Sequence, residues 1–108
     1  MDKSIERTER LLTYLKVSPD DCFLLHALAL EYIKEGRDEE ARELFEKVLE
    51  KDPFYIGTYY QLGQLLERKG DVQAALHCYR KGMDAAKAVK SRKAYNELQA
   101  AWDELNHE

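Results

Sequence analysis

The most suggestive constellation for holding a metal is Cys22 with His26, together with His77 and Cys78. Cys22 and His26 stand at i, i+4, one turn apart on a helical face. His77 and Cys78 are adjacent, so on a helix they diverge by about 100°, and nothing in the spacing draws the two pairs together. No metal site is expected, and both cysteines read as reduced thiols packed among apolar neighbours. The chain has no glycine-rich phosphate loop, no Gly-x-Ser-x-Gly and no His-Glu-x-x-His. Catalysis needs convergent groups, so neither enzymatic activity nor a cofactor is expected.

Charged residues form two further clusters. Asp38, Glu39, Glu40, Glu43, Glu46 and Glu50 crowd one segment, interleaved with Arg42 and Lys47. Glu43 and Lys47 are spaced for an i, i+4 pair, as on a solvated helix face. Residues 80–93 carry Arg80, Lys81, Lys87, Lys90, Arg92 and Lys93 against Asp84 alone. This basic end could steer an acidic partner or favour self-association through complementary ends. It lacks interleaved aromatics, and the net charge is −4, so a nucleic-acid partner is not expected.

The elements that position these groups follow from length and patterning. The 108 residues suffice for a single domain. With 44% apolar residues, 35% charged residues, two prolines and five glycines, the chain favours long helices in a well-solvated globule. No apolar run approaches a membrane span, and the charged N-terminal residues offer no signal-peptide core. The expectation is a cytoplasmic protein that does not contact membranes.

A period of 34 residues relates Pro19 to Pro53, Gly36 to Gly70, Ala41 to Ala75 and Leu28 to Leu62. Phe45 and Tyr79 match in character at the same offset, as do Ala29 and Gly63. The prolines suit a first helical turn, with Ser18 and Asp52 before them as N-cap candidates. Gly36 and Gly70 suit left-handed helix ends, and Asp38 and Asp71 place negative charge at the next helix start. Leu25, Leu28, Ala29 and Tyr32 line one helix face, and Ala41, Phe45 and Val48 line its partner. Tyr59, Leu62, Gly63 and Leu66, with Ala75, Tyr79 and Gly82, repeat the arrangement. The pattern is a helical hairpin made twice.

This spacing resembles the tetratricopeptide repeat (TPR): large, Leu, small, aromatic, then Ala, aromatic, small and Pro over 34 residues. The match covers residues 22–89, with Leu25 where Trp is frequent, Val48 where Ala is usual and Lys87 in place of the second Pro. Losing that proline should let the second unit's last helix run on. As a whole, the chain resembles short free-standing bacterial TPR proteins. The resemblance implies an all-α fold of about six helices, with antiparallel hairpins in a right-handed superhelical array.

The expected domain, 1–108, divides into an N-terminal capping helix (1–18), TPR units at 22–55 and 56–89, and a C-terminal capping helix (90–108). Residues 2–17 place Ile5, Leu11, Leu12 and Leu15 on one side, like the second helix of a missing earlier hairpin. Near the C-terminus, Tyr95, Leu98 and Trp102 align with Tyr59, Leu62 and Leu66 only after a slip of two residues. That slip predicts a longer connection near Val89–Ser91 and a capping helix with Trp102 as a core anchor.

In TPR proteins the first helix of each hairpin lines the concave face, where partner peptides lie. Here the first such helix carries a second apolar stripe of Phe23, Ala27 and Leu30, ending at Lys34 and flanked by His26 and Ile33. Such a helix is buried on two sides or is adhesive. The second unit's counterpart carries Tyr60, Gln64, Glu67 and Arg68, and the capping helix should add Asn96, Ala100 and Asp103. The paired Lys and Asn with which some TPR cochaperones clamp a terminal carboxylate are missing. The expected function is a protein–protein interaction module binding a peptide or protein segment. The alternative is a homodimer formed through the Phe23/Leu30 stripe.

Overall fold

The structure, a computed structural model, describes residues 3–106, the side chain of Ser4 apart. It consists of helices α1 (Lys3–Val17), α2 (Cys22–Lys34), α3 (Asp38–Lys51), α4 (Ile56–Arg68), α5 (Val72–Ala88) and α6 (Arg92–Leu105). No strand occurs among the described residues. Residues 1, 2, 107 and 108, which belong to the expected end segments, lie outside them. The helices fall into two compact units, Met1–Asp52 and Pro53–Glu108.

In the first unit α2 packs against both α1 and α3. Leu25, Leu28, Ala29 and Tyr32 are buried on α2, and Ala41, Phe45 and Val48 on α3, as the apolar spacing requires. Each large side chain buried in this way contributes about 1.5–3 kcal/mol relative to exposure. On α1 the buried pair is Thr8 and Leu11, and the Thr8 hydroxyl donates to the Glu35 carboxylate at 2.6 Å. Ile5 and Leu12, expected on the covered side, are 45% and 42% exposed. The covered face instead follows the three-and-four spacing of Thr8, Leu11 and the partly buried Leu15.

The expected glycines end α2 and α4. Gly36 and Gly70 take φ of 76° and 82°. The N–H of Arg37 donates to Tyr32 O at 2.8 Å and that of Gly36 to Ile33 O at 3.0 Å. Asp71 and Gly70 repeat the pair on Leu66 O and Glu67 O. Both are Schellman motifs, satisfying carbonyls that a helix end leaves without partners.

The proline assignments need correction. Pro19 and Pro53 lie in the connections ahead of the helices, outside their first turns. Pro19 is the second residue of a turn closed by Asp21 N–H on Ser18 O at 3.2 Å, a position its fixed φ suits. The N-cap of α2 is therefore Asp21, whose carboxylate accepts from Leu24 N–H, and Ser18 has no such role. Asp52 closes the C-terminus of α3, and Tyr55 precedes α4 without a side-chain cap.

In the second unit α5 packs on both α4 and α6. Lacking a proline at Lys87, α5 runs past Ala85, the counterpart of Lys51, as far as Ala88. The two-residue slip then follows: helix starts fall at Cys22, Ile56 and Arg92. Gly82 lets α5 approach both neighbours, for a Cβ there would lie 2.6 Å from Tyr59 Cβ and 3.0 Å from Leu98 Cδ1. Leu98, 1% exposed, anchors α6. Trp102, expected in the core, is only partly buried, with the Arg80 guanidinium 5.0 Å from its ring centroid. It is a rim residue covered by a cation–π contact.

Candidate functional site

The two sets of predicted partner-binding residues lie on different units, and each face has its own chemistry. On α2, Phe23 projects from the first turn with 67% of its surface exposed. Ala27 and Leu30 follow at helical spacing and are partly buried, and Lys34 is exposed at the end. Neither α1 nor α3 covers Phe23. An exposed Phe beside partly buried Ala and Leu is a small apolar strip of the kind that marks contact surfaces.

His26 departs from that strip. Its ring centroid lies 5.4 Å from that of Phe45 at 55°, so the imidazole belongs to the α2–α3 packing. Burial lowers its pKa from the ordinary 6.5, because desolvation penalises the charged form. Lys34 is also engaged, its Nζ lying 3.0 Å from the Glu31 carboxylate. Glu31, with only 4% of its side chain exposed, also faces Arg7 at 3.5 Å. Two cations on a carboxylate withdrawn from water offset its desolvation.

The α4 face is polar. Tyr60 is 38% exposed, with its ring 6.4 Å from that of Tyr79. Gln64 donates to the Tyr79 hydroxyl at 2.7 Å and to Glu67 at 3.3 Å, and the Tyr79 hydroxyl donates to Glu67. Burial, reinforced by the Glu67 carboxylate, pushes the Tyr79 phenol well above its ordinary pKa. Gln64 and Glu67 are therefore held in place by a core residue. Arg68 is exposed at the end of the helix.

Between α4 and α6 lies a cleft of about 240 Å³ lined by Tyr60, Gln64, Glu67, Glu97, Ala100 and Glu104. Ala100 is where register placed it, but Glu97 and Glu104 stand in place of Asn96 and Asp103. The side of α6 turned toward α4 lies one residue further along than the repeat alone implies. Only the packing angle of the last helix reveals these two carboxylates.

The soft side chains do not converge. Cys22 and Cys78 belong to different units, and each thiol points at a carbonyl, that of Val48 at 3.8 Å and that of Tyr59 at 3.4 Å. Burial, with Asp52, Asp21 and Asp20 nearby, pushes the Cys22 thiol up from its ordinary pKa, which makes it a poor nucleophile. Among the described residues no group of three or more His, Cys, Asp or Glu is placed to hold a metal. None of their helices is long and apolar enough to cross a membrane.

Comparison with known proteins follows the same helical pattern. Two tetratricopeptide repeat family models match, one over residues 22–55 and one over residues 44–77. No curated protein sequence matches. Among solved structures, a tetratricopeptide repeat domain protein from Salinibacter ruber is 38% identical. That match covers 82% of this chain and 90% of the other, with a TM-score of 0.79. A protein from Bordetella parapertussis is 27% identical over 93% of this chain and 87% of its own, with a TM-score of 0.80. The TPR2B domain of yeast Sti1, solved as a pHsp70 complex, shares the fold at 17% identity. It covers 93% of this chain and 80% of that one, with a TM-score of 0.85.

Proposed function

Because the chain belongs to the tetratricopeptide repeat family, we propose that it is a protein–protein interaction module that takes up a peptide or protein segment on its first-helix faces. The observation that carries this reading is Phe23, a large apolar side chain left two-thirds exposed on α2 beside Ala27 and Leu30. Covering such a ring gains roughly 1.5–3 kcal/mol, enough to make it a contact anchor of the kind that dominates interfaces. On α4, Tyr60 and Gln64 beside Glu67 supply an aromatic wall with polar groups already held in position, suited to a polar or basic side chain. Tyr60, Gln64, Glu67 and Arg68 on α4, with Phe23, Ala27, Leu30 and Lys34 on α2, form the proposed contact set. His26 contributes through the packing that holds α2.

The module works by shape and burial. Nothing in the proposal calls for a covalent step, a cofactor or a metal. A cytoplasmic location belongs to the same proposal and is supported by two cysteines present as free thiols. The test is Phe23→Glu, which places a charge where apolar contact is needed while leaving the buried α2 face untouched. Proteins captured by the wild-type chain and identified by mass spectrometry should fall away at least tenfold with the variant. Unchanged recovery would remove α2 from the binding surface.

A further inference from the structure

The junction between α5 and α6 holds a cleft of about 510 Å³ lined in part by Lys87, Lys90, Ser91, Arg92 and Tyr95. Lys87, Lys90 and Arg92 are exposed, and Lys87 Nζ sits 5.9 Å from the Tyr95 ring centroid. Among the described residues, none of these three cations takes part in an ion pair. Among the described residues no carboxylate lines the cleft. Of the first unit's cations, Arg7, Lys34, Arg37, Arg42, Lys47 and Lys51 face carboxylates. Lys3, Arg10 and Lys16 on α1 take part in none of these pairs, and they are spread along one helix and not gathered at a cleft.

The backbone here gives a second reason to single out the cleft. Three helices end in the same turn, with left-handed residues at Gly36, Gly70 and Lys90. At the third, Ser91 N–H reaches Ala86 O at 2.9 Å and Lys90 N–H reaches Lys87 O at 3.0 Å, so the geometry matches the glycine turns. A φ of 61° at Lys90 costs an L-residue what glycine avoids. Arg92 and Lys93 then occupy the first turn of α6, which holds no acidic residue and where the helix dipole disfavours positive charge. In α3 the same turn carries Asp38, Glu39 and Glu40. Lys87, in the last turn of α5, suits that helix's dipole, but Arg92 and Lys93 oppose the dipole of α6 and suit an anion, and a strained residue at such a place points toward function.

We propose that this cleft docks an acidic segment of a partner protein, with Lys87, Lys90 and Arg92 receiving its Asp or Glu carboxylates and Tyr95 forming the wall. This contact is separate from the first-helix faces described above. A carboxylate-bearing chain is favoured over nucleic acid because the cleft takes a few side chains and its one aromatic ring is already covered by Lys87.

The test uses the full chain and a dye-labelled peptide of alternating Glu and Ser, followed by fluorescence anisotropy at low ionic strength. The wild type should bind, and binding should weaken as salt is added. Lys90→Gly should lose about two- to fivefold in affinity, as expected for one exposed ion pair, while its melting temperature rises. Lys87→Gln and Arg92→Gln should each lose a similar factor. Lys16→Gln, on α1, and Phe23→Glu should leave this affinity unchanged, which separates the cleft from the α2 face. The proposal is overturned if the wild type does not bind the peptide, if Lys90→Gly keeps full affinity, or if Lys16→Gln loses as much. It is equally overturned if a thymidine oligonucleotide of equal charge displaces the peptide at lower concentration than unlabelled peptide does.

Discussion

Gly63 shows how a single missing methyl sets a helix spacing. A Cβ there would lie 2.2 Å from Tyr79 Cε1, against a ring that is fully buried and tied through its hydroxyl to Gln64 and Glu67. Gly63→Ala should therefore destabilise the chain by about 1–2 kcal/mol in urea unfolding, overpacking outweighing the gain in helix propensity. His26 gives a prediction in pH. Its folded pKa is lowered by burial, so as pH falls the unfolded chain takes up the proton first. Its stabilising contribution is complete above the unfolded value, about 6.5, and is lost as pH falls through the lower folded value. Melting temperatures compared at about pH 7.5 and pH 5.5 should drop less in His26→Phe than in the wild type. The smallness required at Gly63 was legible from its pairing with Ala29 across 34 residues. The tie between His26 and Phe45 was not, because an imidazole beside an apolar stripe has the same spacing whether it turns outward or inward.

At the scale of elements, the turns decide more than the helices. Gly36 and Gly70 announce their turns because glycine is the residue that takes positive φ without cost. Lys90 makes the same turn silently. Replacing it with glycine should stabilise the chain by about 1 kcal/mol, read as a higher urea midpoint with an unchanged slope. A destabilised Lys90→Gly would mean that the lysine side chain supports the fold. The two-residue slip before α6 was readable from the Tyr95, Leu98 and Trp102 stripe. The places of Pro19, Ser18 and Asp52 were not, since proline preorganises a turn and a helix start through the same fixed φ. Asp21 and Ser18 are both good caps by residue type, and only the backbone path selects Asp21.

For the whole molecule, the exposed Phe23 poses the question of self-association. A strip of one Phe with partly buried Ala27 and Leu30 is small beside the roughly 800 Å² per partner of a stable interface. Sedimentation at high micromolar concentration should give a monomer, and a dimer abolished by Phe23→Glu would favour the homodimer reading instead. The sequence by itself determined the all-α class, the hairpin repeat, the position of its glycines and the core stripes. These are local: they depend on a period of 34 residues and on which side chains share a helical face. Tertiary structure decided which apolar residues remain uncovered, as with Ile5, Leu12 and Phe23, and which charged residues meet. It placed Glu97 and Glu104 beside Tyr60, tied Lys34 to Glu31, and brought Lys87, Lys90 and Arg92 to one cleft that no carboxylate among the described residues lines. Exposure and charge pairing depend on how helices far apart in sequence lie against one another, and periodicity carries no record of that packing.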